Sequence, residues 1–363
     1  MTRNLSTWLK GLAVILMVMH HAFAFPEWQV GGIAYPMLDP YITFINRFGG
    51  FMVVPLFLFL TGWTYRHHED KSFRYSLKKI SSFLASYWII LGAFAFLAVH
   101  VCGYPLTLTG MVEEMFSVSN DIMIFSWFVF LYLMVMLLLP LWARLTDGLS
   151  AKRTLLAFIL FFGIIKGCGS LVEFIGMRES FLYVAVKEYG FRKMPVAFGG
   201  YLCARFGIVE RLYGRFVWWN VMKRVLLMVF CILFYNRVTN IGTISTGLFL
   251  TPVAIALIAT FSIRYGSLPG KGMLWLGRHS MNIWFLHCLF FAEATRQVFQ
   301  HYAYWPGNPV LVVGWILLLC GLVSVPLTGI QNIVTGWISR LLGYGKPEQV
   351  DEKSLAVAGA ECE

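Results

Sequence analysis

Charged side chains are scarce in this chain. Lys, Arg, Asp and Glu together make up 13% of its 363 residues, whereas a soluble globular protein carries about 25%. Hydrophobic types make up 58%, and the mean hydropathy is +0.70. This composition excludes a disordered chain and an ordinary soluble enzyme. It predicts an all-α polytopic membrane protein, because membrane helices are apolar runs of about 20 residues.

Acidic residues are also few, and the cysteines do not occur in closely spaced pairs. The 18 Asp and Glu stand against 29 Lys and Arg, which gives a formal net charge of +11. The basic residues lie mainly in short loops between apolar segments, so membrane orientation explains the excess better than nucleic-acid binding does. The seven cysteines include no C-x-x-C pair. The sequence therefore predicts neither a disulfide framework nor a metal site.

Apolar segments recur along the chain and predict about ten transmembrane helices. Loops rich in Lys and Arg alternate with loops that lack them, so both termini are predicted to lie in the cytoplasm. The predicted transmembrane domain covers residues 1–344, and residues 345–363 are predicted to form a disordered cytoplasmic tail. The apolar segments are 6–25, 41–65, 79–101, 121–143, 154–176, 193–209, 222–238, 245–264, 273–295 and 309–338.

One predicted loop breaks this alternation. Residues 177–193 should face outward, yet they include Arg178, Lys187, Arg192 and Lys193. Two interpretations are open. Either part of this segment belongs to a membrane helix, or the loop binds an anionic group.

The first apolar segment carries ionisable groups that are unusual in a membrane helix. Lys10 and His21 are eleven residues apart. In an α-helix that spacing places them within about 20° of one face and roughly 16 Å apart along the axis. Ionisable side chains inside a membrane favour a functional interpretation. The structural alternative is a lysine anchored at the interface and histidines that pack by hydrogen bonding.

Three further segments carry short motifs. Residues 55–63 read Pro-Leu-Phe-Leu-Phe-Leu-Thr-Gly-Trp, and residues 276–287 read Leu-Gly-Arg-His-Ser-Met-Asn-Ile-Trp-Phe-Leu-His. Residues 127–140 begin with Trp-Phe and close with Leu-Pro. Together with the Lys-Gly of residues 10–11 and with His21, these segments resemble the acyltransferase-3 family of integral membrane O-acyltransferases. The resemblance extends over most of the chain, from about residue 5 to residue 340.

The chain departs from the usual pattern of that family at several positions. Lys10 stands where the family often has Arg. A lysine at this position resembles a branch of sugar O-acetylases. Thr61 replaces Ser in the second-helix motif, and Trp284 replaces Tyr in the late motif. The family also often carries two basic residues, three apart, at the start of the third helix. Here Lys79 matches the first of them and Ser82 the second.

The resemblance implies a membrane-embedded O-acyltransferase. Such an enzyme takes an acyl group, usually acetyl, from acyl-CoA as a donor substrate and needs no tightly bound cofactor. It passes that group to a hydroxyl of a cell-envelope glycan or of a lipid-linked sugar. The implied location is a bacterial-type inner (plasma) membrane, which the chain crosses many times.

The same resemblance assigns expected roles to particular residues. Coenzyme A is polyanionic and cytosolic, so Lys10, Lys78 and Lys79 are candidates for binding it at the cytoplasmic side. Lys10 is also expected to take part in catalysis. A hydroxyl is a poor nucleophile at neutral pH, and His21 is the candidate base that removes its proton. A covalent acyl-histidine intermediate is the alternative.

Arg47 enters the second apolar segment at a depth comparable to that of His21. It is a candidate to orient the acceptor or to stabilise developing oxyanion charge, and the alternative is an interfacial ion pair with Asp39. Further residues are candidates for acceptor binding or for support of the site, although interhelical packing is an alternative role for the last two. They are Thr61, Trp127, Ser280 and His287.

Two other functions use the same features. A transporter or flippase for an envelope lipid or sugar precursor would use His21, Lys166, Glu173 and Glu293 as a proton or substrate path. Lys166 and Glu173, seven residues apart on one helix face, can instead pair with each other. The remaining alternative is a catalytically inactive membrane scaffold.

Overall fold

The computed structural model describes residues 1–25, 28–31, 40–238 and 246–341 of the chain. For residues 40–48, 50, 51 and 235–238 it describes the backbone alone. The predicted tail, 345–363, lies outside the described residues. All statements below concern the described part.

The described chain is built of helices and contains no strand. Five helices, namely α1, α3, α5, α6 and α15, are long and apolar enough to cross a membrane by length and composition. The prediction of an all-α polytopic membrane protein is therefore confirmed. The helices are α1 (Arg3–Phe23), α2 (Pro40–His67), α3 (Phe73–His100), α4 (Leu108–Met115), α5 (Trp127–Thr146), α6 (Ala151–Phe174), α7 (Phe181–Tyr183), α8 (Met194–Arg205), α9 (Ile208–Phe216), α10 (Val221–Val238), α11 (Gly247–Ala259), α12 (Leu268–Arg278), α13 (Ser280–Leu286), α14 (Glu293–Tyr304) and α15 (Pro309–Leu341).

Side-chain caps set the start of the helices that carry the predicted site residues. The Thr2 hydroxyl accepts a hydrogen bond from the Leu5 backbone N–H at 3.2 Å and begins α1. Ser72 does the same for α3 through the backbone N–H of Tyr75, also at 3.2 Å. Ser267 caps α12. Each cap satisfies one of the backbone donors that a helix N-terminus leaves free.

The segment predicted as an outward loop, residues 177–193, is largely helical. After α7 the chain continues as a π-helix over Val184–Lys193, which leads directly into α8. The sixth apolar segment thus belongs to a helix that begins near Phe181 and not at residue 193. Hydropathy missed this start because the π-helix carries charged side chains that pair with one another and with α6.

The predicted ninth segment, 273–295, is also broken. It comprises α12, α13 and a 3₁₀ turn over His287–Phe290, with a break between the two helices at His279. A buried polar network fixes α13 against its neighbours. The Asn282 side-chain amide donates to the Thr328 hydroxyl at 3.1 Å, and Gln331 donates to the Asn282 side-chain oxygen at 2.9 Å.

Glycines allow two helix pairs to approach closely. A Cβ on Gly11 of α1 would overlap the carbonyl oxygen of Met273 in α12, and a Cβ on Gly277 of α12 would overlap the carbonyl oxygen of Thr7. The pair of α2 and α8 is built in the same way. There Gly62 faces the carbonyl oxygen of Ala197. Small residues at such crossings let membrane helices pack backbone to backbone.

These crossings explain three of the motif glycines. Gly11 follows Lys10, Gly62 follows Thr61, and Gly277 precedes Ser280 by three residues. The close helix contacts therefore hold the neighbouring polar side chains at fixed positions inside the bundle.

Adding a methyl group at a crossing should destabilise the protein. We expect Gly62→Ala and Gly277→Ala each to lower the free energy of unfolding by about 1–3 kcal/mol or more, because the helices must separate to accommodate it. Gly163→Ala in α6 is the matched control, since nothing lies within 4 Å of its added Cβ. The thermal unfolding midpoint of detergent-purified protein measures the effect. Equal midpoints for the three variants would contradict the crossing role of Gly62 and Gly277.

Candidate active site

Most of the predicted site residues line one of two neighbouring cavities. We call the first the lysine cavity, which has a volume of about 370 Å³ and is lined by Lys10, Lys79, Thr61 and Ser280 among others. Two ammonium groups and two hydroxyls thus converge on one space. The rest of its lining is mostly aromatic and apolar, with Tyr65, Tyr75 and Tyr132 as further polar members. The remaining lining residues are Phe57, Leu60, Thr64, Phe83, Phe128, Met136, Met281, Trp284 and Phe285.

We call the second the histidine cavity. Its volume is about 280 Å³, and His20 and His21 are its ionisable lining residues. Aromatic rings form much of its wall, including Phe25 and Trp28, which stack with centroids 3.9 Å apart. Such an apolar cavity with few polar groups is typical of small-molecule sites. The other lining residues are Met17, Val53, Val54, Ile124, Phe125, Trp127 and Trp284.

Trp284 borders both cavities. Its side chain is buried, and its indole N–H donates to the Phe125 carbonyl oxygen at 3.3 Å. The ring packs against Phe57 and Phe128, with centroid distances of 5.3 and 4.9 Å. In the sequence, Trp284 was notable only because it replaces the Tyr that the family motif has at this position. In the structure, Trp284 separates the space beside the lysines from the space beside the histidines.

His21 is hydrogen-bonded to His287. Nδ1 of His21 lies 2.7 Å from Nε2 of His287, and Nδ1 of His287 lies 3.1 Å from the carbonyl oxygen of Ile283. A carbonyl oxygen only accepts, so Nδ1 of His287 carries its proton. With neutral rings, Nε2 of His287 then accepts from Nδ1–H of His21. This assignment leaves Nε2 of His21 unprotonated, with a lone pair available to accept a proton.

The orientation of the His21 ring is set by stacking as well as by this hydrogen bond. The Phe125 ring lies parallel to it, with centroids 3.4 Å apart and an interplanar angle of 4°. The His287 ring is nearly parallel to both. Rotation of His21 is therefore blocked on one face by Phe125 and at Nδ1 by His287.

Glu114 supports the segment that delivers Phe125. Its side chain is buried, and one carboxylate oxygen accepts from the Ile122 backbone N–H at 2.9 Å. The Tyr87 hydroxyl donates to the Glu114 backbone carbonyl at 2.7 Å and ties the same residue to α3. Burial raises the pKa of the Glu114 carboxyl group. Sequence reasoning missed Glu114, because its segment was predicted as a connection between membrane helices, where an acidic residue carries no signal of burial.

The predicted site residues fall into groups. Lys10, Lys79, Thr61 and Ser280 line the lysine cavity. His21 and Trp127 line the histidine cavity. His287 does not line it, but its ring is hydrogen-bonded to that of His21. The structure thus brings most of the candidates to two adjoining spaces, and their chemical roles stay predictions.

Two candidates are not placed there. Lys78 lines neither cavity, although Lys79 beside it lines one. Arg47 lies in α2, but its side chain is outside the described part of the chain, as is Asp39.

The expected pairing of Lys166 with Glu173 is not what the structure has. Glu173 forms ion pairs with Arg178 and with Lys187, the latter at 3.2 Å. The Lys166 ammonium instead lies 5.6 Å from the centre of the Phe191 ring. The π-helix brings Lys187 opposite Glu173, which the loop assignment of that segment could not anticipate.

The described residues contain no cluster of metal-ligating side chains. Among them, no group of three or more His, Cys, Asp or Glu side chains is arranged to hold a metal ion. The histidine pair with its aromatic wall is instead suited to proton transfer at one ring nitrogen.

Comparison with known proteins gives one match. The acyltransferase-3 family model, described as an acyltransferase domain, matches residues 6–329. Searches of curated proteins and of solved structures found no match. The matched residues include both cavities and the histidine pair.

Proposed function

Because the chain belongs to the acyltransferase-3 family, we propose that this membrane acyltransferase moves an acetyl group from acetyl-CoA to a hydroxyl of a cell-envelope saccharide. We place it in a bacterial-type inner membrane, with both termini in the cytoplasm. The observation that carries the proposal is the hydrogen-bonded pair of His21 and His287, which leaves one imidazole nitrogen free beside a cavity.

His21 is the general base of this reaction. The acceptor hydroxyl gives its proton to Nε2 of His21 while its oxygen bonds to the thioester carbonyl carbon. The carbon–sulfur bond then breaks, and the coenzyme A sulfur leaves with the proton that His21 received. His287 is a positioning residue, because it holds the Nδ1–H tautomer that this step requires. A covalent acyl-histidine route would use the same lone pair as the nucleophile.

The lysine cavity is the donor site. Lys10 and Lys79 offer two cations to the phosphates of acetyl-CoA, and the aromatic lining suits the apolar part of its thioester arm. Lys10 and His21 lie on one helix, roughly 16 Å apart along its axis, so the long arm of the donor has to extend toward the histidines. It must pass Trp284, whose indole lies between the two spaces. Lys10 contacts the donor in the lysine cavity and has no direct role at the carbonyl carbon of the acetyl group.

The histidine cavity is the acceptor site. Its wall includes aromatic faces of the kind on which sugar rings pack, from Phe25, Trp28 and Trp127. His21 lines the same cavity. His20 lines the same space and contributes to acceptor binding. Thr61 and Ser280, on the lysine side, contribute hydroxyls to the donor instead.

Removing the base should abolish transfer. Purified protein in lipid discs is given labelled acetyl-CoA and a cell-envelope glycan extract, and label on the glycan is counted. We expect His21→Ala to lower the transfer rate by at least about 100-fold, because general-base catalysis contributes 10²–10⁴. His100→Ala is the matched control, since that histidine is exposed at the end of α3 and lines neither cavity.

Transport would give a different result in the same discs. A protein that only transports would neither consume acetyl-CoA nor respond to His21→Ala in this assay. Wild-type protein that transfers no label and binds no acetyl-CoA would overturn the proposal.

The donor site allows a test with neighbouring residues. We expect Lys79→Met to raise the Kd for acetyl-CoA by about 3- to 10-fold, since one charge-assisted contact is lost. Lys78→Met removes the same charge one residue away, outside the lysine cavity, and should change the Kd little. Equilibrium binding of labelled acetyl-CoA to each variant measures the difference. Equal effects of the two substitutions would contradict the assignment of this cavity to the donor.

A further inference from the structure

A third cavity lies between α6 and the π-helix. Its volume is about 450 Å³, and it shares no lining residue with the lysine or histidine cavity. Charged side chains dominate its wall: Lys166, Glu173, Lys187, Glu188 and Arg192. We call it the side cavity.

The side cavity lies within the length of a membrane helix. Lys166 is eight residues before the end of α6 at Phe174, which corresponds to roughly 12 Å along the axis. The apolar side chains of Ile159 and Ile164 on α6 are exposed, as expected for a helix that faces lipid. Ionisable groups at such a depth are costly and favour a functional interpretation. The adjoining ten-residue π-helix supports this, because π-helical segments are frequent at functional sites.

Cations outnumber carboxylates around the side cavity. Glu173 is paired with both Arg178 and Lys187, and Glu188 is paired with Arg192 at 2.6 Å. These pairs satisfy both carboxylates. Lys166 forms no ion pair among the described residues, and its ammonium lies 5.6 Å from the centre of the Phe191 ring. The cavity therefore retains a net positive charge.

The π-helix that lines the side cavity also contacts a wall residue of the histidine cavity. Lys193, next to Arg192, places its ammonium 3.9 Å from the centre of the Trp127 ring, and Tyr189 stacks on the same ring at 5.8 Å. Trp127 lines the histidine cavity. The π-helix therefore contributes side chains both to the side cavity and to the packing around Trp127.

We propose that the side cavity binds the phosphate of a membrane lipid head group. Basic pockets between membrane helices are suited to anionic head groups, and Arg and Lys together provide fork and point-charge contacts to phosphate oxygens. Lys166 is the principal cation, and Lys187 and Arg192 complete the charge around it. The exposed apolar surface of α6 lets the acyl chains remain in the bilayer. This binding does not depend on acyl transfer.

Lipid binding by the side cavity can be measured without acetyl-CoA. Full-length protein is placed in discs of phosphatidylcholine with increasing phosphatidylglycerol, and native mass spectrometry counts retained phosphatidylglycerol. We expect Lys166→Gln to weaken retention about tenfold and Lys166→Arg to preserve it. Lys152→Gln is the control, because it removes the same charge from an exposed position near the start of the same helix.

Two results would overturn the proposal. If Lys166→Gln and Lys152→Gln weaken retention equally, the side cavity is not the site. If wild-type protein retains no more phosphatidylglycerol than phosphatidylcholine, while labelled inorganic phosphate binds wild-type protein and not Lys166→Gln, the cavity binds free phosphate and not a lipid. Normal retention by Lys166→Arg verifies that the position tolerates substitution, so a loss in Lys166→Gln reports on charge.

Discussion

The hydrogen bond between His21 and His287 is the interaction on which the proposed chemistry depends. It joins α1 to the 3₁₀ turn that follows α13, at a distance of 2.7 Å between ring nitrogens. Because Nδ1–H of His287 donates to the Ile283 carbonyl oxygen, Nε2 of His287 must accept from Nδ1–H of His21 when both rings are neutral, and the pair has one arrangement of protons. The proposed base at His21 therefore depends on α1 and on the turn that carries His287.

That hydrogen bond requires a fixed position of α1 relative to the α12–α13 segment. Glycines at the contact between the helices hold them in this position. Gly11 and Gly277 let the two backbones meet, and the Asn282–Gln331 hydrogen bond holds α13 from its other side. The same register places Lys10 in one cavity and His21 in the other. Trp284 lines both cavities. In the proposed reaction this one indole ring separates the polyanionic donor from the acceptor until the donor arm passes it.

Sequence patterns predicted the features that arise from local periodicity. Apolar runs located the five helices that are long and apolar enough to cross a membrane, and the eleven-residue spacing in α1 predicted that Lys10 and His21 share one face. Local periodicity could not predict contacts between segments that are distant in the sequence. The Glu114 carboxylate, the stacking of Phe125 on His21 and the position of Trp284 depend on how separate helices pack. The π-helix was missed because its charged side chains give this segment the low hydropathy that is typical of a loop.

The most direct measurement of the central claim is the single-turnover rate of acetyl transfer by His287→Ala protein saturated with acetyl-CoA. The account predicts a rate about 100-fold below wild type, since a base free to rotate loses its orientation, with an unchanged Kd for acetyl-CoA. His287→Gln should recover part of the rate, because its amide oxygen can accept from Nδ1–H of His21. A wild-type rate in His287→Ala would contradict the claim that the histidine pair creates the base.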